Sequence, residues 1–429
     1  MTNDQSHPDS DAAFHAESPR CSSAISSSPG GGMVAPGPAV DMGDLSAFAN
    51  PHRILSAEGH ARGVCLHWDD GHVSDFHYIW LRDNCACQLC LHGQTLERIF
   101  DPLGYPDDIA ATQIDLLSNG ALRVQWPDEG HVSLFDPGWL RMHCYSDVAR
   151  AARIRASKPI TWGAEIVGAL PIYLHADVMS DDAALVSWMY ALRDVGIALV
   201  RGVPAEVGAM EEVANRVSHL RETNFGVTFE VFAKPKPVNN AYTALALPLH
   251  TDLPNWEAPP GFQFLHCLAN DAIGGDSLFA DGFKLAEILK EQDIGAYELL
   301  STVPMSWRFH DDSADLRYRT PAIALDPDGE ITEVRVNFHL TAPLDVPADR
   351  VEGMSRAFRK LIALSRDTNL QFQLRLHAGD MIVFNNRRTL HARTTFDPSS
   401  GLRHLRGCYV DNDDLLSRIR VLERGPART

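Results

Sequence analysis

Apolar and polar residues change their rhythm three times along the chain. Between Phe48 and Tyr145 the apolar positions come in short alternating runs. Gly63-Val-Cys-Leu-His-Trp68 and His72-Val-Ser-Asp-Phe-His77 flank the turn residues Asp69, Asp70 and Gly71, which predicts a β-hairpin. Ala121-Leu-Arg-Val-Gln-Trp126 and His131-Val-Ser-Leu-Phe135 repeat the pattern around Pro127-Asp-Glu-Gly130. Further on the period lengthens. Leu185, Trp188, Met189 and Leu192 share one face of a helix predicted over Asp181–Val195. Gly208–Arg221 and Phe283–Leu300 read as helices too, and Ala149–Lys158 as a basic one. Strand-like apolar runs lie at 197–200, 262–268, 333–338, 381–385 and 402–410. No repeat of 20–50 residues is visible, which excludes a solenoid.

The first 45 or so residues have neither rhythm. From Ser18 to Gly43 they are mostly Ser, Gly, Pro and Ala, with too little apolar surface to offset the entropy of ordering. The division expected is therefore a disordered leader (1–45), a β-rich N-terminal domain (46–145), a linker (146–170) and one larger domain (171–429). Asp4, Asp9, Asp11 and Glu17 precede the first Arg, Arg20, which argues against a secretory or mitochondrial leader and for a cytoplasmic protein.

A length of 429 residues allows two or three domains. Lys and Arg number 38 against 56 Asp and Glu, a net charge of −18, so neither nucleic acid nor an anionic membrane surface is the expected partner. A small cationic ligand would suit that balance. No run of apolar residues is long enough to span a bilayer. The eight Cys are unevenly placed, with Cys85, Cys87 and Cys90 in one loop, which fits a metal cluster better than a disulfide framework. Glycine-rich phosphate loops and a Gly-x-Ser-x-Gly elbow are missing, so nucleotide binding and serine hydrolysis lack support.

Two constellations carry chemistry. In His250-Thr-Asp252, an extended backbone would point imidazole and carboxylate to one side. Together with a distant His they would make the facial triad that leaves sites open on Fe(II). His391, just beyond the apolar run at 381–385, supplies that third ligand, and Arg403 follows twelve residues later, able to fork onto a carboxylate. An isolated His-x-Asp is more often a surface hydrogen bond, but the distal His, the Arg and the turn at Gly274-Gly-Asp-Ser277 shift the balance. In Cys85-x-Cys87-x-x-Cys90, three thiolates lack only a fourth ligand for a closed tetrahedral zinc site. His92, His131, His143 and Cys144 all compete for that place.

These residues resemble the Fe(II)- and 2-oxoglutarate-dependent dioxygenases of the taurine-dioxygenase type, and within them the γ-butyrobetaine-hydroxylating branch. The resemblance spans about residues 55–424. It is carried by Trp80-Leu-Arg-Asp-Asn-Cys-x-Cys-x-x-Cys90, Trp126-Pro-Asp-Glu129, Asn240-Ala-Tyr-Thr243, His250-Thr-Asp252, Pro260-Gly261, Leu265-His-Cys267, Gly274-Gly-Asp-Ser277, Asp281-Gly-Phe283 and Arg403-His404. It implies a mainly β fold with flanking helices: a double-stranded β-helix (jelly-roll) catalytic domain behind a small zinc-binding β-rich domain.

For the site, the resemblance implies that His250, Asp252 and His391 hold iron. Arg403 would take the distal carboxylate of 2-oxoglutarate, with Ser277 near it, and His131 would be the fourth zinc ligand. An aromatic cage of Phe225, Phe229, Tyr242 and Tyr409 would surround a trimethylammonium group, which offers no hydrogen-bond donor and is recognised by ring faces. Two of those positions are Tyr or Trp in the animal enzyme, and Leu253 stands where that enzyme has Tyr. Read without the resemblance, Phe225 and Phe229 at i and i+4 are core packing. Asn239 would meet the substrate carboxylate, with Asn337 and His339 in a second contributing segment. The implied reaction converts γ-butyrobetaine to L-carnitine with release of succinate and CO2, with ascorbate as a candidate reductant and a homodimer as the assembly. The alternatives are a hydroxylase of trimethyllysine or of another betaine or amino-acid derivative, and a non-catalytic binding or adapter protein.

Overall fold

The computed structural model describes residues 50–128, 130–232 and 243–424, so the leader expected over residues 1–45 lies outside the described residues. The chain divides into two compact units between Arg155 and Ala156.

The first unit holds two three-stranded antiparallel sheets. One is built from β1 (Ile54–His60), β2 (Gly63–Trp68) and β3 (Val73–His77); the other from β4 (Gln113–Leu116), β5 (Leu122–Gln125) and β6 (Val132–Phe135). Helices α1 (Tyr78–Asp83), α2 (Pro137–Met142) and α3 (Asp147–Ala156) complete it. Both predicted hairpins form, as β2–β3 and β5–β6. Each closes with the same device. A buried Trp at the end of the first strand donates its indole N–H to a Ser hydroxyl on the second, Trp68 to Ser74 at 3.0 Å and Trp126 to Ser133 at 2.8 Å. The repeated Trp and Ser thus let a large ring enter the core with its polar edge satisfied.

The second unit begins with β7 (Ile172–Leu174), α4 (His175–Ser180), α5 (Asp182–Asp194), β8 (Ile197–Arg201), α6 (Ala209–Val217), β9 (Thr228–Val231) and β10 (Leu247–His250). Next come β11 (Phe262–Asn270), β12 (Ile273–Gly274), β13 (Ser277–Asp281), α7 (Gly282–Gln292), α8 (Ile294–Thr302), β14 (Met305–His310) and β15 (Asp315–Thr320). It continues with β16 (Ile323–Leu325), β17 (Ile331–Val334), α9 (Ala348–Ser365), β18 (Gln371–Leu374), β19 (Met381–Asn385), β20 (Thr389–Arg393) and β21 (Phe396–Asp397), and closes with β22 (Arg403–Val410) and α10 (Asn412–Arg424).

A six-stranded sheet in the order β7-β8-β19-β11-β22-β9 faces a four-stranded one in the order β10-β20-β13-β18. Strand alternation sorts the side chains into layers. On the outer face of the large sheet, Ala198, Val200, Phe262, Phe264, Met381, Val383, Cys408 and Val410 pack under α5, α6 and α10. Their neighbours Ile197, Leu199, Leu265, Cys267, Ile382, Phe384 and Leu405 point inward to Phe279 and Phe372 of the small sheet. The outer side of the small sheet, through Ala280 and Leu390, packs with α7, α8 and α9.

Three expectations change. The helix predicted over Phe283–Leu300 is two helices, because the Asp293 side chain accepts from Ala296 N at 3.0 Å and caps a second start. The strand predicted over 333–338 stops at Val334, and a short 3-10 turn follows at Phe338–Leu340. The stretch 146–170 opens with the basic helix expected there, α3, and differs from a bare connection in that Trp162 and Ile166 are buried in the layer between the two sheets.

One buried ion pair joins four segments of this unit. Arg388 is 1% and Asp281 0% exposed. The guanidinium forks onto the carboxylate, Nε to Oδ1 at 3.0 Å and Nη2 to Oδ2 at 2.7 Å. Its remaining donors reach Asp194 O and Ile160 O, while Asp281 also accepts from Trp162 N and Phe283 N. Gly196, at φ +84, lies where a Cβ would come 2.9 Å from Arg388 Cδ. Replacing Arg388 by Met strands a buried carboxylate, so stability should fall by about 3–5 kcal/mol, measured by urea unfolding. The double variant Arg388→Met, Asp281→Leu should recover part of that loss.

Candidate active site

The small sheet sets two imidazoles side by side. His250 on β10 pairs directly with His391 on β20, which pairs in turn with Phe279 on β13. Cross-strand partners share a face, and the two imidazole centroids lie 4.3 Å apart. Asp252 joins them from beyond the strand. β10 ends at His250, so the carboxylate arrives through a turn and not through strand alternation as expected. Its Oδ1 lies 3.3 Å from His250 Nε2 and 3.7 Å from His391 Nε2.

Neighbours fix His250 and Asp252. Pro248 O can only accept, so the 2.9 Å contact makes His250 Nδ1 the protonated nitrogen and leaves Nε2 to face Asp252. Asn386, 1% exposed, accepts from Asp252 N at 2.7 Å and donates to Asp252 O at 3.0 Å. Thr251 N donates to Val336 O at 2.7 Å, and Arg335 donates to the carbonyls of Pro254, Trp256 and Glu257. Leu253 then turns at φ +56, a left-handed conformation that costs a side-chain-bearing residue about 1–2 kcal/mol. The surrounding bonds impose it.

Electrostatics prepare a donor set. Burial would raise the Asp252 carboxyl, but His391, His250 and the Tyr409 hydroxyl outweigh it and hold it well below the usual carboxylate range. Burial, helped by the neighbouring His250, pushes His391 down to about 3, leaving a neutral imidazole. Burial opposes charge on His250 as well, yet its bond to Asp252 raises it. One carboxylate and two imidazoles with convergent atoms are what a facial metal site requires.

The triad opens into a cavity of about 560 Å³. Arg403, 4% exposed, lines it; its Nε donates to Gly275 O at 2.9 Å and its Nη1 is buried without a partner. Burial, then the nearby Arg393, push this guanidinium down to about 10, so it stays charged. A buried cation with a spare N–H fits a carboxylate. Ser277 lines the same cavity, as do Asn337 and His339. Asn337 Nδ2 donates to Thr251 O at 3.2 Å, which leaves its buried Oδ1 unpartnered.

Phe225, Phe229 and Tyr409 also line the cavity, while Asn239 and Tyr242 lie outside the described residues. Phe225 sits in a turn and Phe229 on β9, so the i, i+4 spacing is not helical packing. Tyr409 does two things: its ring lies 5.2 Å from Phe229, and its hydroxyl donates to Asp252 Oδ2 at 2.7 Å. Phe309, on β14, adds a ring 5.4 Å from Phe225 that sequence patterning did not single out. Asn386 and Arg335 were equally invisible, since no local signal marks a side chain that grips backbone distant in sequence.

In the first unit, Cys85, Cys87 and Cys90 surround His131 Nε2 at 3.4, 3.6 and 3.5 Å. Tetrahedral coordination with ordinary zinc–sulfur and zinc–nitrogen bonds puts sulfur and nitrogen about 3.5 Å apart. The competitors are engaged elsewhere: Cys144 faces His72, His143 bonds Trp139 O, and His92 accepts from Thr95 N. Burial pushes the Cys85 thiol up to about 12, so a thiolate there calls for a cation.

Two imidazoles, a carboxylate and a carboxylate-seeking arginine around one cavity define a 2-oxoglutarate-dependent dioxygenase that uses Fe(II). The chain belongs to the taurine catabolism dioxygenase TauD, TfdA family, whose model matches residues 156–409. Residues 56–141 match the γ-butyrobetaine hydroxylase-like N-terminal model. Among curated proteins, a γ-butyrobetaine dioxygenase of Pseudomonas sp. (strain AK-1) is 46% identical over 89% of this chain and 99% of its own length. The human γ-butyrobetaine dioxygenase is 32% identical over 83% of this chain and 93% of its own. The human mitochondrial trimethyllysine dioxygenase is 32% identical over 82% of this chain and 83% of its own.

Tyr409→Phe keeps the ring and removes the bond to Asp252. Partners of metal ligands are typically worth about 10–100-fold in affinity, so Fe(II) binding should weaken by about tenfold in an anaerobic titration, with the fold intact.

Proposed function

We propose that this protein hydroxylates γ-butyrobetaine to L-carnitine, consuming 2-oxoglutarate and dioxygen and releasing succinate and CO2. The observation that carries the reading is that one cavity joins the His250–Asp252–His391 set, the spare N–H of Arg403 and the rings of Phe225, Phe229 and Tyr409. The 46% identity to a γ-butyrobetaine dioxygenase along nearly its whole length supports the same substrate over trimethyllysine. We read the two facing sheets as the double-stranded β-helix of the family.

Each side chain then has a task. His250, Asp252 and His391 would hold Fe(II) on one face, and when bound the iron supplies the activation of dioxygen paid for by decarboxylation of 2-oxoglutarate. Arg403 would anchor the distal carboxylate of the cosubstrate, with Ser277 beside it. The rings would seat the trimethylammonium group by their faces, with Tyr242 adding a further ring and Asn239 meeting the substrate carboxylate. Phe gives a cation less than Trp does, so Phe225 and Phe229 should make a looser cage. Ascorbate as reductant, a homodimer and a cytoplasmic location complete the proposal; among the described residues no helix is long and apolar enough to cross a membrane.

The test is a succinate-release screen with Fe(II), 2-oxoglutarate and a panel of trimethylammonium compounds. γ-Butyrobetaine should give the strongest coupling, and coupling to trimethyllysine alone would overturn the choice. His250→Ala and Asp252→Ala should abolish turnover and weaken Fe(II) binding with an unchanged circular dichroism spectrum.

For the first unit we assign a structural zinc to Cys85, Cys87, Cys90 and His131. The binding energy of such a site is folding energy. Metal analysis of protein purified without chelator should find about one zinc per chain, and chelation should lower the melting temperature; finding none would refute the site.

A further inference from the structure

Arg403 is seated on a bare stretch of backbone. At Gly275, φ +76, a Cβ would lie 2.6 Å from Arg403 Nε and 2.7 Å from its Cδ. The Gly275 carbonyl is also the acceptor that sets the plane of the guanidinium. The orientation of the spare Nη1 therefore depends on where the 270–276 connection lies.

A second arginine holds that connection. Arg375 follows directly after β18 and does not belong to the described lining of the cavity. Its Nη1 donates to Gly274 O at 3.0 Å and to Asp276 Oδ1 at 3.0 Å. Its Nη2 donates to Asn270 O at 2.9 Å and to Ala272 O at 2.8 Å. Gln373 takes the other oxygen of Asp276 at 2.7 Å. One planar fork thus spans four residues of the loop on which Arg403 rests. Lysine, a point charge on a flexible stem, cannot reproduce that pattern.

We infer that Arg375 is a positioning residue for cosubstrate binding, holding the Asn270–Asp276 connection so that Gly275 presents Arg403 to the distal carboxylate of 2-oxoglutarate. The inference rests on the reading that Arg403 takes that carboxylate. Arg375 touches no reactant in this scheme. Without it the connection keeps its bonds to residues 394–402 but loses four others, so Gly275 shifts, Arg403 loses its single orientation and binding of 2-oxoglutarate suffers while the metal and the substrate cage stay as they were.

The experiment compares Arg375→Lys, Arg375→Met, Gly275→Ala and Arg403→Met in the full chain. Small displacements of a positioning group cost one to two orders of magnitude, so KM for 2-oxoglutarate should rise about tenfold in the Arg375 and Gly275 variants. Turnover at saturating 2-oxoglutarate and KM for γ-butyrobetaine should change less than about twofold, a split that a general loss of stability would not give. Calorimetric binding of 2-oxoglutarate to the Mn(II)-loaded, non-turning protein should weaken in parallel. Adding Arg375→Met to Arg403→Met should cause no further loss, since both act through one contact. If Arg403→Met weakens 2-oxoglutarate binding while Arg375→Lys and Arg375→Met leave it unchanged, the positioning role is wrong and the Arg403 reading stands. If Arg403→Met itself leaves 2-oxoglutarate binding unchanged, the underlying reading fails. Should Arg375→Met not fold, Arg375→Lys carries the same comparison, with rescue of tight binding by the conservative charge also counting against the role.

Discussion

The fork between Arg388 and Asp281 is the constraint on which the second unit depends. It stands at the first turn of α7, at the start of β20 and against the backbone that links α5 to β8. A charge pair at such depth is expensive, and it is tolerated only because nearly every donor and acceptor is used. What it achieves is placement. β20 carries His391 three residues after Arg388, so the register of that strand, and with it the pairing of His391 to His250, is pinned from one end. Gly196 makes this possible by giving up its side chain where the arginine passes.

The His250–Asp252–His391 set is accordingly divided between rigid and strained backbone. The two histidines stand on paired strands, where a pleat fixes their separation. Asp252 has no such support, and it is held by side chains from elsewhere: Asn386 at both its backbone groups, Tyr409 at its carboxylate, Arg335 beyond the turn. A continuous strand would aim Asp252 by alternation alone. Ending the strand at His250 and forcing Leu253 into the left-handed region brings the carboxylate close to both imidazoles and leaves the opposite side open to the cavity.

Much of this was legible in the sequence, for reasons that can be given residue by residue. The hairpins were readable because Trp68 and Trp126 precede turn residues and alternate with small polar ones. The core strands of the large sheet were readable because both their faces are buried and their apolar runs are unbroken. β13 and β20 were harder, since Ser277, Asp281, Thr389, His391 and Arg393 are polar residues turned inward, and inward polarity erases the alternation a strand normally shows. The break at Asp293 was hidden because a cap inside an amphipathic run leaves the helical period almost intact. Asn386, Arg335, Arg375 and Phe309 carry no local signal at all. Their meaning lies in backbone and rings more than fifty residues away, which only the fold brings together.

The overall charge of −18 invites the idea that acidic residues attract a cationic ligand, but the cavity does not work that way. Of the carboxylates that line it, Asp252 is committed to the two histidines and Tyr409, and Glu230 is engaged by His404 and Arg406. Arg403 and Arg393 make its buried end cationic. A carboxylate has reason to settle at that end, and a trimethylammonium group has reason to avoid it and to face Phe225, Phe229 and Tyr409 instead. On the proposed function, this polarity would place the dicarboxylate at Arg403 and the quaternary amine against the ring faces. Net charge steers a ligand toward a protein, whereas on the proposed function two arginines and three rings would do the sorting.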